Sequence, residues 1–371
     1  MTADTHFDGE RLREVFDAPE PGTIGIEEEV MLLDPETKDL APVAPAVLAR
    51  LADDPRFKAE LPASQIEIVI EPARSASEAV SALAAARVDL AAACTGLALP
   101  AVAGVHPFAD LEGELTALDR YTAIRREYGP IARRQLVAAL QIHVALGDAS
   151  RALGAYNAMR ERLPEVAAVA ANARFHDGRD SGLASVRPVI AENLPRQGMP
   201  PAIESWSDFA EDLRWGHVAG ILPDARLWWW ELRPNPAFGT IEVRVPDAQT
   251  TIADAIGVAG FVQALVGWLG ERDPPKTPAK AWRLGENRWS AARHGVEGAM
   301  ADLATGEPEP TRERLHRLLD EIEPGADDPG PLREARRLVE RNGSIRQREV
   351  AADLGIPGLT HWLAEHFLDR C

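Results

Sequence analysis

The sequence predicts an α+β fold in which a curved, mainly antiparallel sheet carries helices on its outer face. Strand candidates and helix candidates are mixed without the strict strand–helix alternation of a doubly wound sheet. Each strand candidate has aliphatic side chains on one face and acidic, basic or histidine side chains on the other. An antiparallel sheet of this kind buries its apolar face under helices and keeps its other face polar.

Six elements are predicted in the first half of the chain. They are a strand at 23–33, a strand at 65–71, an alanine-rich helix at 75–94, a charged amphipathic helix at 110–129, a strand at 136–146 and a helix at 152–171. Ser75 or Ser77 is the expected N-cap of the alanine-rich helix, because a serine hydroxyl accepts a hydrogen bond from a free N–H at a helix start. Gly129 is expected to end the charged helix.

A long loop separates these elements from the second half of the chain. Residues 171–201 are rich in Gly, Pro and Asp, which indicates a functional loop rather than regular structure. Strands at 227–233 and 240–245 follow, joined by the turn PNPAFG, and the remainder is mostly helical. We expect residues 1–371 to form a single domain, because we find no internal repeat and interpret the later breaks as surface connections.

Composition and charge exclude several classes of protein. The 371 residues carry a net charge of −18 at pH 7 and have a pI of about 5.0. This charge predicts that the chain binds neither nucleic acid nor anionic membranes. The chain has two cysteines and no basic, apolar signal segment at its start, so a cytoplasmic protein is expected. The most apolar stretch, from Ala79 to Val105, is interrupted by Arg87 and Asp89 and is not expected to span a membrane.

The polar faces of the predicted strands consist almost entirely of Glu, Gln, His and Arg side chains. These residues are Glu27, Glu29, Gln65, Glu67, Glu71, Gln141, His143, Glu231, Arg233, Glu242 and Arg244. A solvent-facing sheet explains the alternation, but solvent faces usually carry a mixture of Thr, Ser, Lys and Arg. Carboxylates gathered on one face repel each other unless cations neutralise them. Several carboxylates with an imidazole suit Mg²⁺ or Mn²⁺, so the pattern predicts a metal-binding reaction chamber.

Glu28 lies on the opposite, apolar face of the first predicted strand. We expect it to form a salt bridge to a helix that covers this face, rather than to take part in catalysis.

Motifs for other chemistries are missing from the sequence. It contains no phosphate loop, no glycine-rich dinucleotide fingerprint and no G-x-S-x-G elbow.

Five stretches of the chain resemble one enzyme family. The stretches TIGIEEEVMLLDPET, HVALGD, FHDGRDSGLASVR, WWWELRPNPAFGTIEVRVPD and GENRWSAARHGVEG occur in the order seen in type 2 glutamate–cysteine ligases, also called carboxylate–amine ligases. The resemblance covers about residues 20–350. It implies a fold similar to the catalytic domain of glutamine synthetase, with the active site inside the curved sheet. It also implies ATP and Mg²⁺ (or Mn²⁺) as cofactors, an amino acid and an amine as small-molecule substrates, and a homodimer.

The resemblance also implies roles for individual residues. The implied metal ligands are Glu27, Glu29, Glu67, His143 and Glu242; the implied catalytic residues are Glu27, Glu67 and Arg244; and the implied contacts to substrate or nucleotide are Arg187, Arg233, Arg244, Asn287, Arg288 and Arg293. For the last three, an exposed helix face is an equally good interpretation of the sequence alone. Arg187 and Arg233 are candidates for holding the amino-acid substrate through a bidentate fork.

The sequence departs from the family pattern at two places. Most members carry alternating histidines in H-V-H-V-G, whereas this chain has Gln141 at the first position and His143 at the second. We expect His143 to remain the imidazole ligand. In the long loop, Arg174 adds a charge where the family is neutral, and Ser181 keeps a hydroxyl in place of threonine. These departures bear on the substrate more than on the fold.

The predicted function is an ATP-dependent ligase that forms an amide through an acyl phosphate, with glutamate and L-cysteine as the default pair. The alternatives are the same chemistry on another pair, a non-catalytic nucleotide- or metal-binding relative, and a metal-dependent hydrolase. Replacing Glu27 or Glu242 by glutamine is expected to abolish turnover and to leave the fold intact or more stable, because each change removes part of an internal repulsion.

Overall fold

The computed structural model describes residues 8–222 and 224–370, except for the side chain of Arg226. The ends of the predicted 1–371 domain, including Cys371, lie outside these residues. The strands are β1 (Ile24–Leu33), β2 (Phe57–Ala59), β3 (Gln65–Ala73), β4 (Leu99–Ala101), β5 (Leu140–Ala145), β6 (Phe175–His176), β7 (Arg179–Asp180), β8 (Leu232–Asn235), β9 (Thr240–Val243), β10 (Ala299–Ala301) and β11 (Pro308–Pro310).

The helices surround one main sheet. They are α1 (Gly9–Asp17), α2 (Ala44–Arg50), α3 (Ala76–Cys94), α4 (Asp119–Tyr128), α5 (Ala149–Arg160), α6 (Leu163–Val169), α7 (Arg187–Ala191), α8 (Trp206–Val218), α9 (Ile252–Gly270), α10 (Ala281–His294), α11 (Thr311–Ile322), α12 (Gly330–Arg341) and α13 (Gly343–Glu365), the last interrupted at Gly355. Ser75 caps α3 by accepting a hydrogen bond from the N–H of Glu78, and Gly129 ends α4 with a positive φ of 57°.

The main sheet has seven strands in the order β2-β3-β1-β5-β9-β8, with β4 also paired to β1. Every strand pair in it is antiparallel. The predicted fold class, α+β with a mainly antiparallel sheet, is therefore confirmed. Antiparallel pairing places Glu29 opposite Glu67 and His143 opposite Glu242, so side chains from distant segments meet on one face.

The opposite face of the sheet is packed with aliphatic side chains under helices. Helix α3 packs on β1 and β3, α9 packs on β5, and α5 packs on β8 and β9. The aliphatic residues of this face belong to one hydrophobic cluster and are at most 1% exposed: Ile24, Ile26, Ile66, Ile68, Ile142, Val144, Ile241 and Val243. Full burial of such a side chain contributes about 1.5–3 kcal/mol, which fixes the opposite, acidic face toward the other side.

Glu28 makes the salt bridge that the sequence predicts. Its carboxylate accepts two hydrogen bonds from the Arg87 guanidinium on α3, at 2.8 and 2.6 Å, and both side chains are fully buried. Arg87 also donates to the backbone carbonyls of Thr250, Gln249 and Phe367. This guanidinium therefore joins strand β1, which carries Glu27 and Glu29, to two distant segments of the chain.

The hairpin of β8 and β9 depends on Gly239. Its φ is +66°, and a Cβ there would lie 2.2 Å from the carbonyl oxygen of Val15. A side chain would both strain the backbone and collide with fixed backbone atoms. The tight turn before Thr240 sets the register that places Arg233 opposite Glu242.

Helix α9 is long and apolar enough to cross a membrane by length and composition alone. However, 72% of its most apolar window is buried inside the fold, against the sheet and α12. It is a central helix of the hydrophobic core. Thr251 caps its start by accepting a hydrogen bond from the N–H of Asp254.

The strand predicted at 136–146 is observed only at Leu140–Ala145, and three other predicted elements differ more in extent. The helix predicted at 110–129 is helical only from Asp119, and the helix predicted at 152–171 is two helices, α5 and α6. Pro164 lies in the first turn of α6, where a missing N–H is tolerated, and a continuous helix would have needed that N–H. The strand predicted at 227–233 begins only at Leu232, so Glu231 lies outside it.

Candidate active site

The acidic face of the main sheet brings together one carboxylate–histidine group, formed by Glu27, His143 and Glu242. These residues come from the neighbouring strands β1, β5 and β9. His143 Nε2 lies 3.7 Å from Glu27 Oε1 and 4.0 Å from Glu242 Oε2. One ligand atom from each residue lies within 4.8 Å of the other two.

The imidazole of His143 is oriented toward these carboxylates by its other nitrogen. Nδ1 lies 3.0 Å from the hydroxyl of Thr240, which fixes the ring. Nε2 is buried and has no hydrogen-bond partner among the described residues. A buried polar atom without a hydrogen-bond partner is costly. The orientation of Nε2 toward two carboxylates therefore indicates that this nitrogen could bind a metal ion.

The carboxylate–histidine group fits a divalent cation. Octahedral coordination at about 2.1 Å places ligand atoms about 3 to 4.2 Å apart, and both measured separations lie in this interval. Two carboxylates and one imidazole form a ligand set suited to Mg²⁺ or Mn²⁺. The three residues therefore could hold such an ion with little rearrangement.

A second acid group, formed by Glu29, Glu60 and Glu67, lies next to the first. Burial and the charge of Glu60 raise the pKa of Glu29 to about 7. Burial, followed by the charges of Glu60 and other carboxylates, raises the pKa of Glu67 well above its usual value, and burial raises that of Glu60. These acids repel one another, and the attraction of nearby cationic side chains such as Arg120, Arg244 and Lys58 does not offset burial and repulsion.

The five predicted metal ligands are thus divided between two groups. Glu27, His143 and Glu242 lie within one ion's reach of each other, whereas Glu29 and Glu67 belong to the second acid group. Glu29 already accepts hydrogen bonds from the N–H of Ala139 (2.7 Å) and from Gln141 Nε2 (2.9 Å). Metal ligation by Glu29 and Glu67 remains a prediction, for an ion beside the first one.

Glu60, which follows the three-residue strand β2, is a residue of the site that the strand patterns do not predict. Its carboxylate accepts the N–H of Leu61 and interacts electrostatically with Glu29 and Glu67. Alternation could not have identified Glu60, because it lies in a connection rather than inside a strand. The only available signal was an acid placed a few residues before the second acidic strand.

Glu242 is fully buried but lies among cations. It accepts hydrogen bonds from Arg233 Nε and Asn235 Nδ2, both at 2.6 Å, and from Arg244 Nη1. Burial alone would raise its pKa, but Arg233 and Arg244 together hold the pKa well below the usual range. For Glu27, the effect of burial is likewise outweighed, by electrostatic interactions with His143 and Arg244, and the pKa is lowered.

These pKa directions contradict the expectation that glutamine at position 27 or 242 relieves repulsion. Both carboxylates are held in their charged form by neighbouring cationic or imidazole groups, so neutralising them removes attraction. The uncompensated repulsion lies instead with Glu29, Glu60 and Glu67.

The arginines predicted to contact substrate differ in position. Arg233 is 8% exposed and pairs with Glu242. Arg187 is 7% exposed and is bound by Asp247 at 2.7 Å and by the carbonyl oxygens of Arg244 and Val245. Arg187 therefore holds the backbone after β9, next to the site. Contact of either side chain with substrate remains a prediction.

Of the three residues predicted on α10, Arg293 is exposed, whereas Asn287 and Arg288 are not. Asn287 is buried, and its side chain makes two hydrogen bonds, each of 2.8 Å, with the backbone of Ala301 in β10. Arg288 pairs with Glu231 and, at 2.9 Å, with Glu192. The guanidinium of Arg293 lies beside Gly182 in the long loop. Helix α10 thus contacts the segments next to the site, and nucleotide contact by these residues remains a prediction.

Replacing Glu29 by glutamine is expected to stabilise the metal-free protein at pH 8 by up to about 3 kcal/mol, because the folded state raises the pKa of the Glu29 carboxyl from 4.5 to about 7. The folded-state pKa of Glu29 is near 7, above the usual 4.5. The contribution of this carboxyl to the free energy of unfolding is therefore fully present below pH 4.5 and is lost as the pH rises through 7. Urea unfolding with a chelator at pH 5 to 8 measures this slope, which the variant should flatten. An equally steep slope in the variant contradicts the assignment, and Glu349→Gln on α13 serves as the exposed control.

Solved structures of other proteins share the fold of this chain. Glutamate–cysteine ligase from Francisella tularensis, crystallised in complex with AMP, matches 94% of this chain and 89% of its own, with a TM-score of 0.70 and 14% sequence identity. A bifunctional glutathione synthetase from Pasteurella multocida matches 98% of this chain and 54% of its own, with a TM-score of 0.65 and 15% identity. The fold is that of glutamate–cysteine ligase-type enzymes.

Sequence relatives then identify the family. "Putative glutamate–cysteine ligase 2-3" of Rubrobacter xylanophilus is 34% identical over 361 residues, which are 94% of this chain and 98% of the relative. A second relative, "Putative glutamate–cysteine ligase 2" of Jannaschia sp., is 32% identical over 366 residues, 94% of this chain and 96% of the relative. The profile of glutamate–cysteine ligase family 2 matches residues 23–355. The chain belongs to this family, and it is a ligase of the glutamate–cysteine ligase-like, ATP-dependent type.

Proposed function

We propose that this protein joins the carboxylate of an amino acid to an amine with ATP and Mg²⁺ (or Mn²⁺). The default pair is glutamate and L-cysteine, which gives γ-glutamylcysteine. The proposal depends mainly on the buried Nε2 of His143. This atom has no hydrogen-bond partner in the part of the chain that the structure describes, and it faces Glu27 and Glu242. Family membership and the arginines around Glu242 support it further.

Residues of the acidic face supply the ligands in this proposal. Glu27, His143 and Glu242 hold one ion, and Glu29 and Glu67 serve a neighbouring ion. Bound divalent ions neutralise the negative charge of the triphosphate during phosphoryl transfer. The raised pKa values of Glu29 and Glu67 reflect burial and the repulsion between neighbouring carboxylates, and a divalent ion bound there would offset this repulsion.

The arginines place the anionic ends of the substrates. The side chain of Arg244 is 20% exposed and lies beside Glu242, and its guanidinium suits the γ-phosphate or the substrate carboxylate. The carboxylate attacks the γ-phosphorus of ATP, ADP leaves, and an acyl phosphate forms. The amine, as its free base, then attacks the acyl carbon and expels phosphate, while one proton of the amine passes to a base that we leave unassigned.

The wider properties of the protein are part of the same proposal. One main hydrophobic cluster draws residues from Leu12 to Phe367, which supports a single domain over residues 1–371. The net charge of −18 supports small-molecule substrates rather than nucleic acid or anionic membrane as partners. A homodimer and a cytoplasmic location follow from the family resemblance and from the composition, respectively.

ADP release with Mg²⁺ across a panel of amino acids and amines tests the proposal. Release that requires both an acid and an amine is expected, and the fastest pair identifies the substrates. Release without either substrate indicates an ATP hydrolase, and ATP binding without release under any pair indicates a non-catalytic relative. Either result contradicts the proposed ligase.

Replacing His143 by glutamine is expected to lower turnover by about 100-fold or more and to raise the Mg²⁺ concentration needed for half-maximal activity. The reason is that Nε2 is the one nitrogen that completes the carboxylate–histidine group. Magnesium titration of the steady-state rate measures both effects. His316→Gln is the control, because His316 is partly exposed and pairs with Glu340 on the protein surface. Unchanged magnesium dependence in His143→Gln excludes metal ligation by this imidazole.

A further inference from the structure

Gln141 links the carboxylate–histidine group to the second acid group. It lies on β5, opposite Glu27 in the sheet, and is 3% exposed. Its Nε2 donates to Glu29 Oε1 at 2.9 Å, and its Oε1 accepts from Arg244 Nη1. The orientation of the amide is fixed by chemistry, because a carboxylate can only accept and a guanidinium can only donate.

Arg244 is held by one nitrogen only. Nη1 donates to both Gln141 and Glu242, whereas Nε and Nη2 make no hydrogen bond within the described parts of the chain. Its side chain is 20% exposed, although Glu242 beneath it is fully buried. A guanidinium anchored in this way keeps two adjacent donors available for the two oxygens of a phosphate or a carboxylate.

The amide also separates Arg244 from an oppositely charged neighbour. Glu29 and Arg244 interact electrostatically, and Gln141 is hydrogen-bonded to both. If the amide were removed, Glu29 would lose a donor and Arg244 would lose an acceptor. A direct ion pair between them would satisfy both groups, and it would turn the open edge of Arg244 away from the chamber.

We propose that Gln141 is a positioning residue, whose amide keeps Arg244 from pairing with Glu29 and so presents the Nε–Nη2 edge to an oxyanion of the substrates. The inference rests on the proposed function for the identity of those substrates. The oxyanion belongs either to the ATP phosphates or to the amino-acid carboxylate. A neutral side chain suits this position, because a negative one would add a charge beside Glu27, Glu29 and Glu242.

A double-mutant cycle tests the role of Gln141 without requiring turnover. The variants are Gln141→Met, Arg244→Met and the double substitution, and the probes are a non-hydrolysable ATP analogue with Mg²⁺ and L-glutamate, each titrated by calorimetry. Methionine keeps the volume of glutamine and removes both hydrogen bonds. Arg244→Met identifies the probe whose oxyanion binds Arg244. We expect Gln141→Met to weaken binding of that same probe by about tenfold and to have no further effect in the Arg244→Met background.

The matched control is Gln249→Met. Gln249 is 1% exposed and also makes two side-chain hydrogen bonds, although it donates both of them, to backbone carbonyls. We expect it to lose stability, as Gln141→Met does, but to keep the affinity for both probes. Loss of affinity in Gln141→Met that persists undiminished without Arg244 overturns the proposal, as does unchanged affinity in Gln141→Met.

Failure of the proposed function gives a different result. A wild-type protein that binds the probes but releases no ADP with any substrate pair contradicts the ligase, while the cycle still decides the role of Gln141. Binding of neither probe to the wild type contradicts the inference itself, because Arg244 would then present its edge to neither oxyanion.

Discussion

Replacing Glu242 by glutamine is expected to lower turnover by at least about 1000-fold and the free energy of unfolding by about 3 kcal/mol or more. The carboxylate is fully buried and accepts hydrogen bonds from Arg233, Asn235 and Arg244. Glutamine keeps one acceptor oxygen but leaves two guanidinium groups without their counter-charge. Such a loss is large compared with the total stability of a typical domain, about 5–15 kcal/mol.

Two measurements separate the effects of this substitution. Chemical unfolding gives the loss of stability, and ADP release below the unfolding transition gives the loss of turnover. Glu349→Gln provides the control, because Glu349 pairs with Arg341 on the surface of α13, where both side chains are about half exposed. The control is expected to change stability by less than about 1 kcal/mol. A Glu242→Gln variant as stable as the wild type would show that repulsion, rather than attraction, dominates around this carboxylate.

Replacing Arg87 by methionine is expected to cost about 3–5 kcal/mol of stability, because it leaves the charge of Glu28 buried without a partner. Both side chains are fully buried, and three backbone carbonyls lose a donor in the same substitution. The double variant Glu28→Leu and Arg87→Met removes both charges. It is expected to recover a large part of the loss, since apolar residues of similar volume often replace a buried ion pair at little cost.

Urea unfolding of the two single variants and the double variant measures this coupling. A double variant that is no more stable than Arg87→Met would mean that the carbonyl contacts, rather than the ion pair, determine the stability. Arg341→Met is the control for loss of an arginine on the surface, where its partner is Glu349. Its expected change in stability is below about 1 kcal/mol.

Alternation along the strands predicted which side chains would share a face. Glu27, Glu29, Glu67, His143 and Glu242 do lie on the acidic face, and Glu28 lies on the other, paired with α3. Period-two patterns carry this information because the apolar face must be buried. They do not carry the register between strands, so the closeness of Glu27, His143 and Glu242 and the separate grouping of Glu29 and Glu67 became visible only in the fold.

Other features of the site depend on contacts that no local pattern encodes. Glu60 lies in the connection between β2 and β3. The hydrogen bonds from Glu29 through Gln141 to Arg244 join β1, β5 and the residue that follows β9. The sign of the electrostatic effect at Glu242 required its arginine and asparagine partners to be known. In contrast, the sequence does contain a signal for the break between α5 and α6, although a single helix was predicted at 152–171. Pro164 is a residue type common in the first turn of a new helix.

The guanidinium of Arg87 has a consequence for synthesis of the chain. Arg87 and Phe367 are 280 residues apart, yet Phe367 supplies one of the carbonyls that satisfy Arg87 behind the acidic strand. During translation, β1 and α3 leave the ribosome long before residue 367. The hydrogen bonds of the Arg87 guanidinium therefore stay incomplete until almost the whole polypeptide has been made. A nascent chain truncated before residue 367 therefore lacks one of the carbonyls that hold Arg87 against Glu28 on β1. Contacts between residues so far apart in sequence favour slow, late completion of the native state.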